Sequence, residues 1–112
     1  MIGEIRVVNK YKEPDHQYIG RGSVLGNKFK VGTQQGWDRD HVIGLYRDWL
    51  RHQVNLVKNP VVLTELRRLY RLALVQDVNL GCFCSPQACH GDVIKEFLDE
   101  QLMLAREEEL SE

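Results

Sequence analysis

Cysteine and proline are scarce in this chain, three of each in 112 residues, and neither sign of charge is in excess: 15 Lys and Arg face 16 Asp and Glu. Each shortage excludes something. Cys82, Cys84 and Cys89 crowd into one short segment, and an odd, crowded set suits reduced thiols that bind or react better than a disulfide framework. With a net charge of −1, no global field draws in nucleic acid or an anionic membrane. Arg67, Arg68 and Arg71 gather on one predicted helix, but Glu65 lies beside them and a solvated face is the simpler reading. No apolar run approaches the roughly 20 residues that span a bilayer. The first residues, Met1-Ile2-Gly3-Glu4-Ile5-Arg6, also lack the layout of a signal peptide, so the expected location is the cytoplasm, with neither membrane nor nucleic acid as partner. Internal repeats and low-complexity stretches are missing as well.

What is present fits one globular domain. With 43% of residues apolar and 28% charged, the chain can bury a single core. A domain of this size hides roughly two-thirds of its unfolded surface, so it needs no disulfide or structural metal to fold. Residues 1–105 are expected to form this domain, followed by a frayed acidic tail at residues 106–112.

Ile5, Val7 and Val8 predict a first strand, and Tyr18-Ile19 a second. Asp38 or Asp40 can cap a helix whose buried stripe is Val42, Leu45, Tyr46, Trp49 and Leu50, ending near Asn59-Pro60. Pro60 then opens a second helix carrying Val62, Leu63, Leu66, Leu69, Tyr70 and Ala73. A strand over residues 77–84 places Cys82 and Cys84 on one face and Phe83 on the other. The last helix starts near His90, with Val93, Ile94, Phe97, Leu98 and Leu102 facing inward. The order predicts an α/β fold of two or three layers: a mainly parallel or mixed sheet of three to four strands, flanked by three helices and Rossmann-like in part.

Two segments carry possible chemistry. At the first, Cys82-Phe83-Cys84-Ser85-Pro86-Gln87-Ala88-Cys89-His90-Gly91-Asp92, a strand runs into a helix N-terminus, which presents free N–H groups and a partial positive charge to an anion. That field favours thiolate at Cys89, Gly91 lies in the first turn, and Cys84 marks the strand end where open α/β sheets place ligands. In a catalytic reading Cys84 or Cys89 is the nucleophile, and His90 or Asp92 moves the proton. In a metal reading Cys82, Cys84, Cys89 and His90 hold zinc or an iron-sulfur cluster, although C-x-C-x4-C-H is an unusual spacing. In the plainest reading the cysteines are small core hydrophobes and His90 a cap. His16, His41 and His52 have no evident partner and are expected to face solvent.

The second segment runs from Gly20 to Phe29. Gly20, Gly22 and Gly26 permit close backbone approach, Arg21 offers a fork of donors, Ser23 and Asn27 add neutral ones, and Lys28 adds charge. Neither the Walker nor the dinucleotide glycine spacing is present. Trp37 and Tyr18 are candidates to stack on a base, with burial the simpler role for Trp37.

Taken together, Tyr18 to Phe29 as YIGRGSVLGNKF, the helix with Tyr46, Trp49 and Leu50, and Leu80 to Asp92 as LGCFCSPQACHGD resemble domain of unknown function family 4326, over about Arg6 to Leu98. The sequence departs from that pattern at Lys28, where proline is usual, and at Phe83, where tryptophan is usual. The resemblance implies that the glycine loop and the Cys-His segment form one site, and that related proteins occur in bacteria and their viruses. It implies no reaction. The expected function is thus binding or processing of a nucleotide, nucleoside or sugar-phosphate-like anion. As an enzyme the protein would be a transferase or hydrolase using Cys/His chemistry. The alternatives are a non-catalytic protein that sequesters a nucleotide, in the manner of a phage anti-defence protein, and a zinc, iron-sulfur or redox domain. Met103 and Leu104 extend the last helix's apolar surface, which permits a homo-oligomer.

Overall fold

The structure, a computed structural model, describes residues 1–84 and 87–111. Three parallel strands form one sheet: β1 (Ile5–Asn9), β2 (Gln17–Tyr18) and β3 (Val78–Cys82), with β3 in the centre. Ile5 pairs with Val78 and Asn9 with Cys82 on one side, while Gln17 pairs with Leu80 on the other. The last strand in the sequence is therefore the one that both others need.

Alternation along the strands sorts the two faces. Ile5, Val78, Leu80 and Cys82 point into a single core shared with all three helices, α1 (Arg39–His52), α2 (Pro60–Ala73) and α3 (His90–Ser111). Arg6, Asn79 and Gly81 take the other face, which the 10–16 connection crosses to bring the chain from β1 to β2. There Asn79 donates to the Asp15 carbonyl at 3.1 Å. The His16 ring lies so close over Gly81 that any Cβ would collide with it. His16 is thus half-buried, not solvent-facing, and its Nδ1 sits 2.7 Å from the Glu13 carbonyl. Its partner is a backbone gap supplied by glycine 65 residues away, a relation invisible to local pattern. His41 and His52 are exposed, as their surroundings in the sequence suggest.

Helix boundaries follow the local signals. Asp38 caps α1 by accepting from the His41 N–H at 2.9 Å, and Asn59 caps α2 with Pro60 in its first turn. Between them α1 loosens into a π-helical turn, Gln53–Val57, before Lys58 reverses the chain at a φ of 53°. α3 continues through the acidic run to Ser111, and the Arg106 guanidinium ties it to the Gly3 carbonyl at 2.9 Å. Glu112 lies outside the described residues. Among the described residues, no helix is long and apolar enough to cross a membrane.

Candidate functional site

A cleft of about 640 Å³ opens where the strands end and α1 and α3 begin. Tyr18 and Cys82, the last residues of β2 and β3, line it, which is where parallel α/β sheets commonly hold ligands. The glycine loop contributes Gly20, Arg21 and Asn27, and the Cys-His segment contributes Cys84, Cys89 and His90. The two segments singled out from the sequence thus meet at one cleft. Ser85 and Pro86 lie outside the described residues.

The glycine loop is two successive turns, with Gly20 accepting from Ser23 and Ser23 from Gly26, each at 3.0 Å. The Ser23 hydroxyl also donates to the Gly20 carbonyl, at 2.6 Å, and Asn27 Oδ1 accepts from the Phe29 N–H at 2.9 Å. A Cβ on Gly26 would stand 2.5 Å from the Gly20 oxygen, so glycine there lets the loop fold on itself rather than admit a ligand. Gly22, Ser23, Gly26 and Lys28 accordingly turn away from the cleft, toward a shallower hollow beside Trp49, where the Lys28 ammonium sits 4.7 Å from the indole centre. Tyr46, fully buried in α1, anchors the loop from beneath by donating to the Leu25 carbonyl at 2.6 Å. Burial first, and Cys89 second, push that hydroxyl's pKa up, so it remains a donor.

Cys89 stands one residue before α3 and acts as its cap. The Gly91 N–H donates to Cys89 Sγ at 3.3 Å, while Asp92 reaches back to accept from the Cys89 N–H at 3.0 Å. This is a variant of the capping box, with a thiol in the usual hydroxyl position accepting from the second N–H of the helix instead of the third. Asp92 is exposed and directed to that backbone group, and it does not line the cleft. Gly91 is also outside the cleft lining, since a Cβ there would press on Ile19 at 2.9 Å and Val7 at 3.0 Å. Its lack of a side chain lets α3 approach the sheet.

The thiolate expected at Cys89 is not what its surroundings favour. Its Sγ lies 3.1 Å from that of Cys82, and both residues are buried. That thiol–thiol bond first, and burial second, raise the Cys89 pKa against the opposing Gly91 N–H. Cys84, half-buried and on the cleft wall, is the more open thiol. His90 is buried, with Nε2 2.6 Å from the Ile19 carbonyl and its ring edge-on to Tyr46 at 5.1 Å. Burial lowers its pKa, opposed by Ile19 and Asp92, so the imidazole is neutral near pH 7 with the proton on Nε2. Among the described residues, no three His, Cys, Asp or Glu side chains are placed to share a metal ion. Cys82, Cys84, Cys89 and His90 therefore do not form the four-ligand set that their spacing allowed.

Several cleft residues were not among the candidate site residues. Arg39, half-buried at the start of α1, crosses to the Cys-His segment, donating to the Ala88 carbonyl at 3.0 Å and to Gln87 Oε1 at 2.9 Å. Lys30 and Thr33 follow the glycine loop, and Phe29 and Phe83 supply rings. Trp37 packs edge-on to Phe29 at 6.0 Å and stays off the cleft wall.

The "Uncharacterized 12.4 kDa protein in nrdA-td intergenic region" of Enterobacteria phage T4 is 37% identical to this chain over 90 residues, 80% of this chain and 72% of the phage protein. No solved structure matches. The family described as "Domain of unknown function (DUF4326)" matches residues 5–100, and with that coverage and the phage relative the chain belongs to the DUF4326 family.

Proposed function

We propose that the protein binds a small organic anion, of the nucleotide or sugar-phosphate kind, in the cleft between the glycine loop and the Cys-His junction. The observation that carries this reading is the charge of the walls. Arg21, Lys30 and Arg39 line the cleft from three separate segments, and among the described residues none of its lining is acidic. In a chain whose overall charge is −1, such a one-signed cleft is local, and it favours phosphate or carboxylate over a cation.

Binding without catalysis is favoured over Cys/His chemistry by what the polar groups already do. Cys89 and Asp92 cap α3, the Cys82 thiol is hydrogen-bonded to that of Cys89, and His90 Nε2 holds the Ile19 carbonyl. Only Cys84 remains as an open thiol on the wall. Native mass spectrometry of the purified protein, followed by calorimetry with UMP and ribose 5-phosphate, tests the reading. A bound organic anion is expected, and Arg21→Glu with Lys30→Glu should weaken it by about tenfold or more. Absence of any anion binding by the wild type overturns the proposal. Conversion of the bound molecule, lost in Cys84→Ser, assigns catalysis instead of sequestration.

A further inference from the structure

Three aromatic rings at the mouth of the cleft are left unexplained by the core. Tyr11, Tyr18 and Phe83 are all exposed, and none belongs to the hydrophobic cluster that holds the fold together. They nonetheless converge. Phe83 lies 5.6 Å from Tyr11 in a tilted arrangement and 6.3 Å from Tyr18 edge-on. Over them stands the Lys10 ammonium, 4.3 Å from the centre of Phe83, 4.8 Å from Tyr18 and 5.2 Å from Tyr11. Lys10 thus covers part of the ring group, while Phe83, exposed and on the cleft wall, keeps surface that a flat partner can reach.

Two of these rings, Tyr18 and Phe83, line the same cleft as Arg21, Lys30 and Arg39. Tyr18 also donates its hydroxyl to the Arg21 carbonyl at 2.9 Å, so one residue links the aromatic end of the cleft to its cationic end. We infer that Phe83, with Tyr18 edge-on beside it, forms a stacking platform for a planar heterocycle, and that the anion taken by this cleft is a nucleotide rather than a sugar phosphate. This inference rests on the anion-binding reading above and adds the ligand's second half. A sugar phosphate satisfies the cations and leaves the rings idle, whereas a nucleotide uses both. A cationic guest for the rings is disfavoured, because Lys10 already places positive charge there.

Calorimetry on the intact protein with UMP, AMP, adenosine and ribose 5-phosphate separates the possibilities. Stacking of a base on a protein ring is commonly worth a factor of ten or more, so UMP and AMP are expected to bind about tenfold more tightly than ribose 5-phosphate. Phe83→Ala should erase that preference while leaving ribose 5-phosphate affinity unchanged, and Phe83→Trp should restore it. Because Phe83 is 47% exposed, neither change threatens the fold. Equal wild-type affinity for nucleotides and ribose 5-phosphate overturns the platform and leaves the anion reading standing. A preference that survives in Phe83→Ala also overturns the platform. Adenosine binding as tightly as AMP overturns the anion reading and keeps the platform. Failure of all four probes to bind rejects both.

Discussion

Cys89 is the residue at which chemistry and architecture compete. A thiol before a helix N-terminus is an ordinary place to find a thiolate, because the partial positive charge of the first turn favours it. Here the side chain is hydrogen-bonded to the free thiol of Cys82 and buried, and both circumstances raise its pKa. Cys84, two positions past Cys82, is half-buried on the cleft wall. The three thiols should therefore react unequally with an aromatic disulfide reagent such as Ellman's. In the native protein one thiol is expected to react rapidly, and Cys84→Ser should abolish that phase. All three should react once the protein is unfolded. Rapid labelling of Cys89 in the native state would contradict the burial and bonding that hold it as a thiol.

At the scale of elements, the start of α3 depends on a box built from Cys89 and Asp92. An exposed carboxylate that accepts from a backbone N–H at a helix start contributes on the order of 1 kcal/mol. Asp92→Ala should lower stability to urea by about that amount while leaving ligand affinity within a factor of two or so. A larger loss of binding than of stability would return Asp92 to the site. Much of the element pattern was legible locally. Asp38, Pro60 and the apolar stripes of α1 and α2 announce their helices because caps and 3.6-residue periods act within a few positions. The two site segments were legible too, since glycine and cysteine clusters interrupt any regular pattern. What did not show was which way each residue turns. Gly26 and Gly91 are glycines for packing against Gly20, Ile19 and Val7, and Arg39 reaches Ala88 from 49 positions away. Such relations depend on the sheet order β1-β3-β2, which no window of sequence contains.

For the molecule as a whole, His90 is where the parts are tied together. It begins α3, its Nε2 holds the carbonyl just past β2, and its ring rests on Tyr46 in α1, which in turn holds the glycine loop at Leu25. Protonating this imidazole places a charge inside that junction. Burial depresses the folded-state pKa below the ordinary histidine value, while the unfolded chain keeps that ordinary value of about 6.5. In the interval between the two, the unfolded state binds the proton and the folded state does not, so stability rises with pH there. The stabilisation is fully present above the unfolded pKa and is lost as pH falls through the depressed folded one. Exposed Asp77 also loses a favourable state in acid, because its carboxylate accepts from the Glu4 N–H and pairs with Arg6, but with its pKa lowered that loss runs from the ordinary carboxylate value downward, below the histidine interval. The two are thus separable by pH. Melting temperature followed from about pH 7.5 to about pH 5 should fall more steeply in the wild type than in His90→Gln, with Asp77 contributing only at lower pH. Parallel curves for the two proteins across that range would show that the junction tolerates an imidazolium and that His90 is not the acid-sensitive tie between sheet, loop and helices.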